Sequence, residues 1–269
     1  MNRIAVLALI VSCSLVGPLM AQEKEMRLTL TDAQGGYCIS YLIDPAVAAE
    51  LAPEGTVLAK AGKGSELSPF LARVIMDEPP FAAWIPAAIC IGRYQAAAID
   101  GREVVRAKQG KAVTVITSWV GAVQPMGVEG ATAVLLEIAV DESRILNPLR
   151  DFGLQPEERT ARLEPAEAGD TSLELKVSKA KISWVGHPTG DSRVGSTQSM
   201  TFGYGGQRNS VWMVTASQAP ATTRLMVGAL RIEGKDALSK SLKSSPIRAV
   251  GPMDEGGTAE FVFHRLVGR

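Results

Sequence analysis

Eleven stretches rich in Val, Ile, Thr and aromatic residues recur along the chain, and little between them has the length of a long helix. They span 26–30, 37–43, 87–99, 102–107, 112–120, 133–140, 173–184, 200–204, 211–216, 225–232 and 259–266. Several alternate in polarity as half-buried strands do, and Asp100-Gly101 between two of them is a two-residue hairpin signal. The expected fold is therefore α+β, mostly antiparallel β, with a barrel- or cone-like sheet and a few short helices. Capping residues and prolines place those helices near 44–51, where Asp44-Pro45 starts the turn, and near 68–75, behind Ser68-Pro69. Two more are expected near 141–149 and 235–242. The segment 153–170 is rich in Glu, Arg and Pro without apolar periodicity. It is expected to be a surface excursion or hinge within one β-rich domain covering 22–269.

The amino terminus has the order of a secretory leader: a cation at Arg3, an apolar run over 4–11, and small residues up to Ala21 before Gln22-Glu23-Lys24-Glu25. Cleavage is expected after Ala21, giving an exported protein, periplasmic or extracellular, with no stable membrane insertion. The alternative is a lipoprotein anchored through Cys13, because Ile10-Val11-Ser12-Cys13 fits that pattern. Against it, the residues after Cys13 stay apolar to Met20. A buried helix is disfavoured by Gly17-Pro18.

Loss of the leader leaves Cys38 and Cys90. In an oxidising compartment they can form one bridge, or they can remain two buried thiols in their apolar strands. Two thiols are too few for structural zinc, and no metal site is expected. Charge narrows the partners further. The 28 basic and 28 acidic side chains balance, so no field exists to drive nucleic-acid binding.

The remaining chemistry is thin. There are two histidines, His187 in a Gly-His-Pro turn and His264 in the last strand, and no Gly-x-Ser-x-Gly or His-Glu-x-x-His motif accompanies them. Gly62-Lys63-Gly64-Ser65 and Gly110-Lys111 lack the spacing of a phosphate cradle and read as turns, and no cofactor is expected. Asp77-Glu78-Pro79-Pro80 reads as a solvated acidic turn, or as a cation site if further ligands join it. Lysine is the more informative group. Lys108 and Lys111 lie between a hairpin strand and a strongly apolar one, near Arg102 and Arg106. At the mouth of an apolar barrel, such an amine would have its pKa lowered and could attack a carbonyl to form a Schiff base. The alternative is a pair of ordinary surface lysines.

Three patches resemble the acetoacetate decarboxylase-like family. Tyr41-Leu42-Ile43-Asp44-Pro45 through Pro53-Glu54-Gly55 looks like that family's early strand, short helix and turn. Gly101-Arg102-Glu103 followed by Lys108 resembles its run into the reactive lysine, and Lys181-Ile182-Ser183-Trp184-Val185-Gly186 resembles a later strand. The resemblance implies a Schiff-base nucleophile at Lys108 or Lys111, an acid/base at Glu78 or Glu103, and substrate contacts from Arg102, Arg106 and Trp184. Two departures stand beside it. The family's paired lysines are here Ala107-Lys108-Gln109, and where an acidic partner is sought, around 71–76, the chain has Arg73.

Three readings of function follow. The first is an exported binding protein for a small apolar or keto-acid ligand, on this scaffold but without decarboxylase activity. The second is a Schiff-base-forming decarboxylase or lyase acting on a small keto acid. The third is an envelope protein-interaction module using its sheet edges or the aromatic strand Asn209-Ser210-Val211-Trp212-Met213-Val214. Oligomeric state is not legible from the sequence.

Overall fold

The computed structural model describes residues 25–62, 69–108, 111–165, 171–177, 180–194, 198–220, 222–245, 247–251 and 257–266. The leader with Cys13, Gly62-Lys63-Gly64-Ser65 beyond its first residue, Gly110, and 166–170 of the expected excursion lie outside them. The chain is mostly strand and mainly antiparallel.

In chain order the elements are β1 (Glu25–Ile43), α1 (Pro45–Leu51), β2 (Val57–Leu58), α2 (Pro69–Asp77), β3 (Ile85–Ile99), β4 (Arg102–Arg106), β5 (Val113–Gln124) and β6 (Ala133–Val140). There follow α3 (Ser143–Phe152), β7 (Glu157–Glu158), β8 (Ala161–Pro165), β9 (Thr171–Val177), β10 (Ala180–Val194), β11 (Gln198–Gly205) and β12 (Val211–Gln218). The chain ends with β13 (Thr222–Glu233), α4 (Ala237–Ser244), β14 (Ile247–Gly251) and β15 (Ala259–Leu266). A 3-10 turn over Pro79–Ala83 leads into β3.

Seven strands close on themselves in the order β1, β3, β5, β6, β11, β12, β15 and back to β1, with β6–β11 the one parallel join of the ring. Closure removes the exposed edges that an open sheet would present. The ring is possible because β1 serves two neighbours on one side. Residues 25–30 pair with β15, and 38–41 pair with β14. From β14 the pairing continues through β13, β10, β9 and β8 as a second layer against the ring's outer face.

The sequence suggests two strands over 26–30 and 37–43, but β1 is continuous across both. Asp32 (φ 56°) and Gly35 (φ 98°) take left-handed backbone between them, so the chain bulges while keeping its pairing to β3. The four expected helices form. Asp44 caps α1 by accepting from the Ala46 and Val47 amides at 2.8 and 3.4 Å, with Pro45 at the first helical position. Asp236 caps α4 in the same way, and Gly153 (φ 106°) ends α3 in the left-handed region. Asp100-Gly101 turns the β3–β4 hairpin with φ positive at both residues, as its sequence requires.

Strand alternation divides the apolar side chains between two cores. Inside the ring, Leu28, Leu30, Phe202, Val214 and Phe263 pack with Ile145, Leu146 and Leu149 of α3. Between the ring and the second layer, Tyr37, Ile39, Ile89 and Ile91 meet Leu173, Ile182 and Trp184, with Leu238 and Leu242 of α4. Part of the expected surface excursion is held to the sheet: β7 pairs with β6, β8 with β9, and Leu154 is buried. Among the described residues, no helix is long and apolar enough to cross a membrane.

Candidate functional site

The ring encloses a cavity of about 290 Å³ to which all seven of its strands contribute lining. On β1 and β3 the lining residues are the alternates of the outer core: Cys38 and Ser40 face in where Ile39 and Tyr41 face out, and Ala88, Cys90 and Gly92 alternate with Ile89 and Ile91. Thr117 and Trp119 of β5 complete one side, with Phe202, Ala216 and Phe261 opposite. The polar groups in this wall are the hydroxyls of Ser40, Thr117, Tyr94 and Ser217, the Gln218 amide and the Trp119 indole; among the described residues no charged side chain lines it.

Cys38 and Cys90 stand directly opposite each other in the β1–β3 register, with Cα atoms 4.1 Å apart, and form a disulfide. Of the two readings the sequence allows, the bridge is the one observed. It crosses the wall of the cavity at the two strands on which closure of the ring depends. Beside it the Tyr94 ring folds back over Gly92, where any β-carbon would meet the ring at 2.5 Å. Burial pushes the Tyr94 hydroxyl up to about 12, so it is a neutral hydrogen-bonding group at physiological pH.

None of the residues proposed from the sequence for catalysis or substrate contact lines this cavity. Lys108 and Lys111 are exposed at the two ends of the β4–β5 turn, where the Lys111 amide donates to the Lys108 carbonyl at 2.9 Å. The reason is topological: β4 is an edge strand paired to β3 alone, so the turn that follows it lies outside the ring. Arg102 is exposed on that strand. Glu103 and Arg106 are brought together as an exposed ion pair at 2.5 Å, with Asp32 3.7 Å from the guanidinium. Glu78 is exposed at the start of the 3-10 turn, and Trp184 is buried between the layers against Tyr37. Trp212 is fully buried against Phe152, leaving the third reading without its aromatic anchor.

A second cavity, of about 700 Å³, opens on the outer face of β5 and β6. Here the structure assembles ionisable groups that the sequence analysis passed over. Glu137 pairs with Arg159, whose Nε donates to Oε1, both side chains being mostly buried. Tyr41 and Ser118 line the same space. A bulge in the β5–β6 pairing aims the carboxylate outward. Ser118 is opposite Glu137 and Trp119 opposite Leu135, so Leu136 is the extra residue. In a regular strand Leu135 and Glu137 would share a face; here Leu135 joins the ring core and Glu137 leaves it. One signal was available in the sequence: Glu137 is the lone charge in the apolar run 133–140.

No protein-family model matches the sequence, and no curated protein matches it. Solved structures do. One is an acetoacetate decarboxylase-like enzyme from Sphingomonas wittichii RW1, with 11% identity over 91% of this chain and 94% of that one, at a TM-score of 0.49. Another is acetoacetate decarboxylase from Legionella pneumophila subsp. pneumophila str. Philadelphia 1, with 10% identity over 90% and 87% of the two chains, at 0.49. A further acetoacetate decarboxylase structure matches at 12% identity over 89% and 86%, at 0.45. The chain is thus remotely similar to acetoacetate decarboxylase-like structures, the family its sequence resembles.

Proposed function

We propose that the protein is an exported carrier which binds a small uncharged, largely apolar molecule inside the ring and does not form Schiff bases. The observation that carries this reading is a cavity walled by all seven ring strands with no charged side chain among the described residues that line it. Magnitudes favour an uncharged ligand over a keto acid. Removing about 200 Å² of apolar ligand surface from water is worth about 5 kcal/mol, which allows submillimolar binding. Moving a carboxylate into a site with no cation costs several kcal/mol, which hydroxyls alone offset poorly. Export is supported by the leader-like amino terminus and by the disulfide, which persists in oxidising compartments.

The test has two arms. Indole and 1-octanol, followed by ligand-observed NMR, are expected to bind the protein below millimolar concentration. Ala216→Phe, which fills the cavity from β12, is expected to weaken both at least tenfold; unchanged binding would sink the reading. Borohydride reduction with a panel of small keto acids is expected to leave Lys108 and Lys111 unmodified. A covalent adduct on either would restore the decarboxylase reading.

A further inference from the structure

The outer cavity has a charge character opposite to that of the ring, and its lining specifies a ligand class. Among the described residues, three carboxylates, Glu54, Glu137 and Glu157, share the space with one guanidinium, Arg159. Arg159 is already engaged by Glu137, while Glu54 and Glu157 are exposed with no ion-pair partner among the described residues. Burial holds the Glu137 carboxyl above the ordinary glutamate range despite that pairing, and the nearby charge of Glu157 pushes the same way. The site therefore carries negative charge in excess of what its own cation balances.

That excess is not arranged for a metal ion. Among the described residues, no three His, Cys, Asp or Glu side chains are close enough together to hold one. A ligand that answers dispersed carboxylates must be larger than a bare ion and carry its own hydrogen-bonding groups. The cavity offers partners for such groups. Tyr41 is 2% exposed and Ser118 3%, both line the space, and neither hydroxyl has a hydrogen-bond partner among the described residues. Both hydroxyl oxygens reach the cavity surface, because among the described residues Thr56 Oγ1 is the one fully buried side-chain oxygen without a partner, so both are open to a ligand's hydrogen bonds. The Tyr204 hydroxyl, by contrast, donates to the Gln155 carbonyl at 2.9 Å and fixes the segment that carries Glu157 and Arg159.

We infer that the outer cavity binds a small hydroxylated organic ammonium, with the cation between Glu137 and Glu157 and the hydroxyls on Tyr41 and Ser118. The site is separate from the ring cavity, and each stands or falls without the other. Glucosamine, glucose and glucuronate place an ammonium, a neutral group and a carboxylate on similar rings, so they isolate the charge requirement. By titration calorimetry and amide chemical-shift mapping, glucosamine is expected to bind at least tenfold more tightly than the other two, with shifts around Glu137 and Tyr41. Glu137→Gln is expected to weaken it tenfold or more. Because that change leaves Arg159 unpaired, two further variants guard against misfolding. Tyr41→Phe and exposed Glu157→Gln are each expected to weaken glucosamine severalfold while indole binding in the ring is kept. Absent glucosamine binding, equal binding of all three probes, preference for glucuronate, or indifference to Tyr41→Phe and Glu157→Gln would overturn the inference.

Discussion

The two cavities are built on the same strands and are opposites in chemistry. The ring cavity is walled by apolar side chains, a few hydroxyls and a disulfide, whereas the outer cavity holds three carboxylates and a guanidinium. Thr117 and Trp119 face the first and Ser118 the second. A sheet closed into a ring gathers its inner face into one apolar compartment and leaves its outer face to be covered piecemeal, by α1, the 155–159 segment and α4. Charge is tolerated where covering is partial. The bulge at Leu136 keeps the one carboxylate of β6 on that side.

The largest expected effect loosens the wall of the ring cavity. Replacing Cys38 and Cys90 together by Ser releases a closed loop with a sequence separation of 52. The chain-entropy relation assigns such a loop about 4 kcal/mol, on the order of 10 °C in melting temperature for a chain of this size. Denaturant titration reads the loss directly. Since the bridge joins the two strands that close the ring, indole affinity should fall while glucosamine affinity at the outer cavity is retained. Equal loss at both sites would mean that the two cavities are not independent.

Much of the architecture was legible, including a barrel- or cone-like sheet, but the strand pairings that close it were not. Asp44-Pro45, Asp236 and Asp100-Gly101 act locally, so their helix caps and hairpin could be read from a few residues. Ring closure is a long-range event. It depends on β1 pairing with β3 and β15 at once, and on a parallel join between β6 and β11, none of which leaves a local trace. The candidate site suffered from the same gap. Lys108 beside an apolar strand has the composition of a buried amine, and only the position of β4 at a sheet edge puts it outside. Glu137 was the converse case, a charge inside an apolar strand whose partner, Arg159, lies in a stretch that reads as polar surface.

A smaller effect sharpens the contrast between adjacent residues. Thr117→Lys places an unpaired ammonium in the ring cavity and is expected to cost about 3 kcal/mol, measured by denaturation at neutral pH. Ser118→Lys points to the other face; Ser118 is the more buried of the two, but its ammonium meets Glu137, opposite it in the strand pairing, so the expected cost is lower, about 1–2 kcal/mol. Equal costs would show that Glu137 does not compensate an ammonium placed in the outer cavity.

The smallest effect concerns the sign of a pH dependence, and it asks whether burial or Arg159 governs Glu137. Burial is the larger influence and holds the carboxyl above its ordinary value near 4.5, with Arg159 opposing and Glu157 reinforcing. A carboxyl raised in the folded state binds its proton more tightly there than in the unfolded chain. Its contribution to stability is then fully present below the unfolded pKa and is lost as pH rises through the folded one. The stability of the wild type relative to Glu137→Gln should therefore decline as pH rises above about 4.5. If Arg159 dominated, the carboxyl would be lowered and the same difference would grow with pH. Denaturant titrations of both proteins across that range distinguish the two by slope alone, because the constant cost of leaving Arg159 unpaired drops out. A declining difference marks an outer cavity whose buried carboxylate is under-compensated by its own cation.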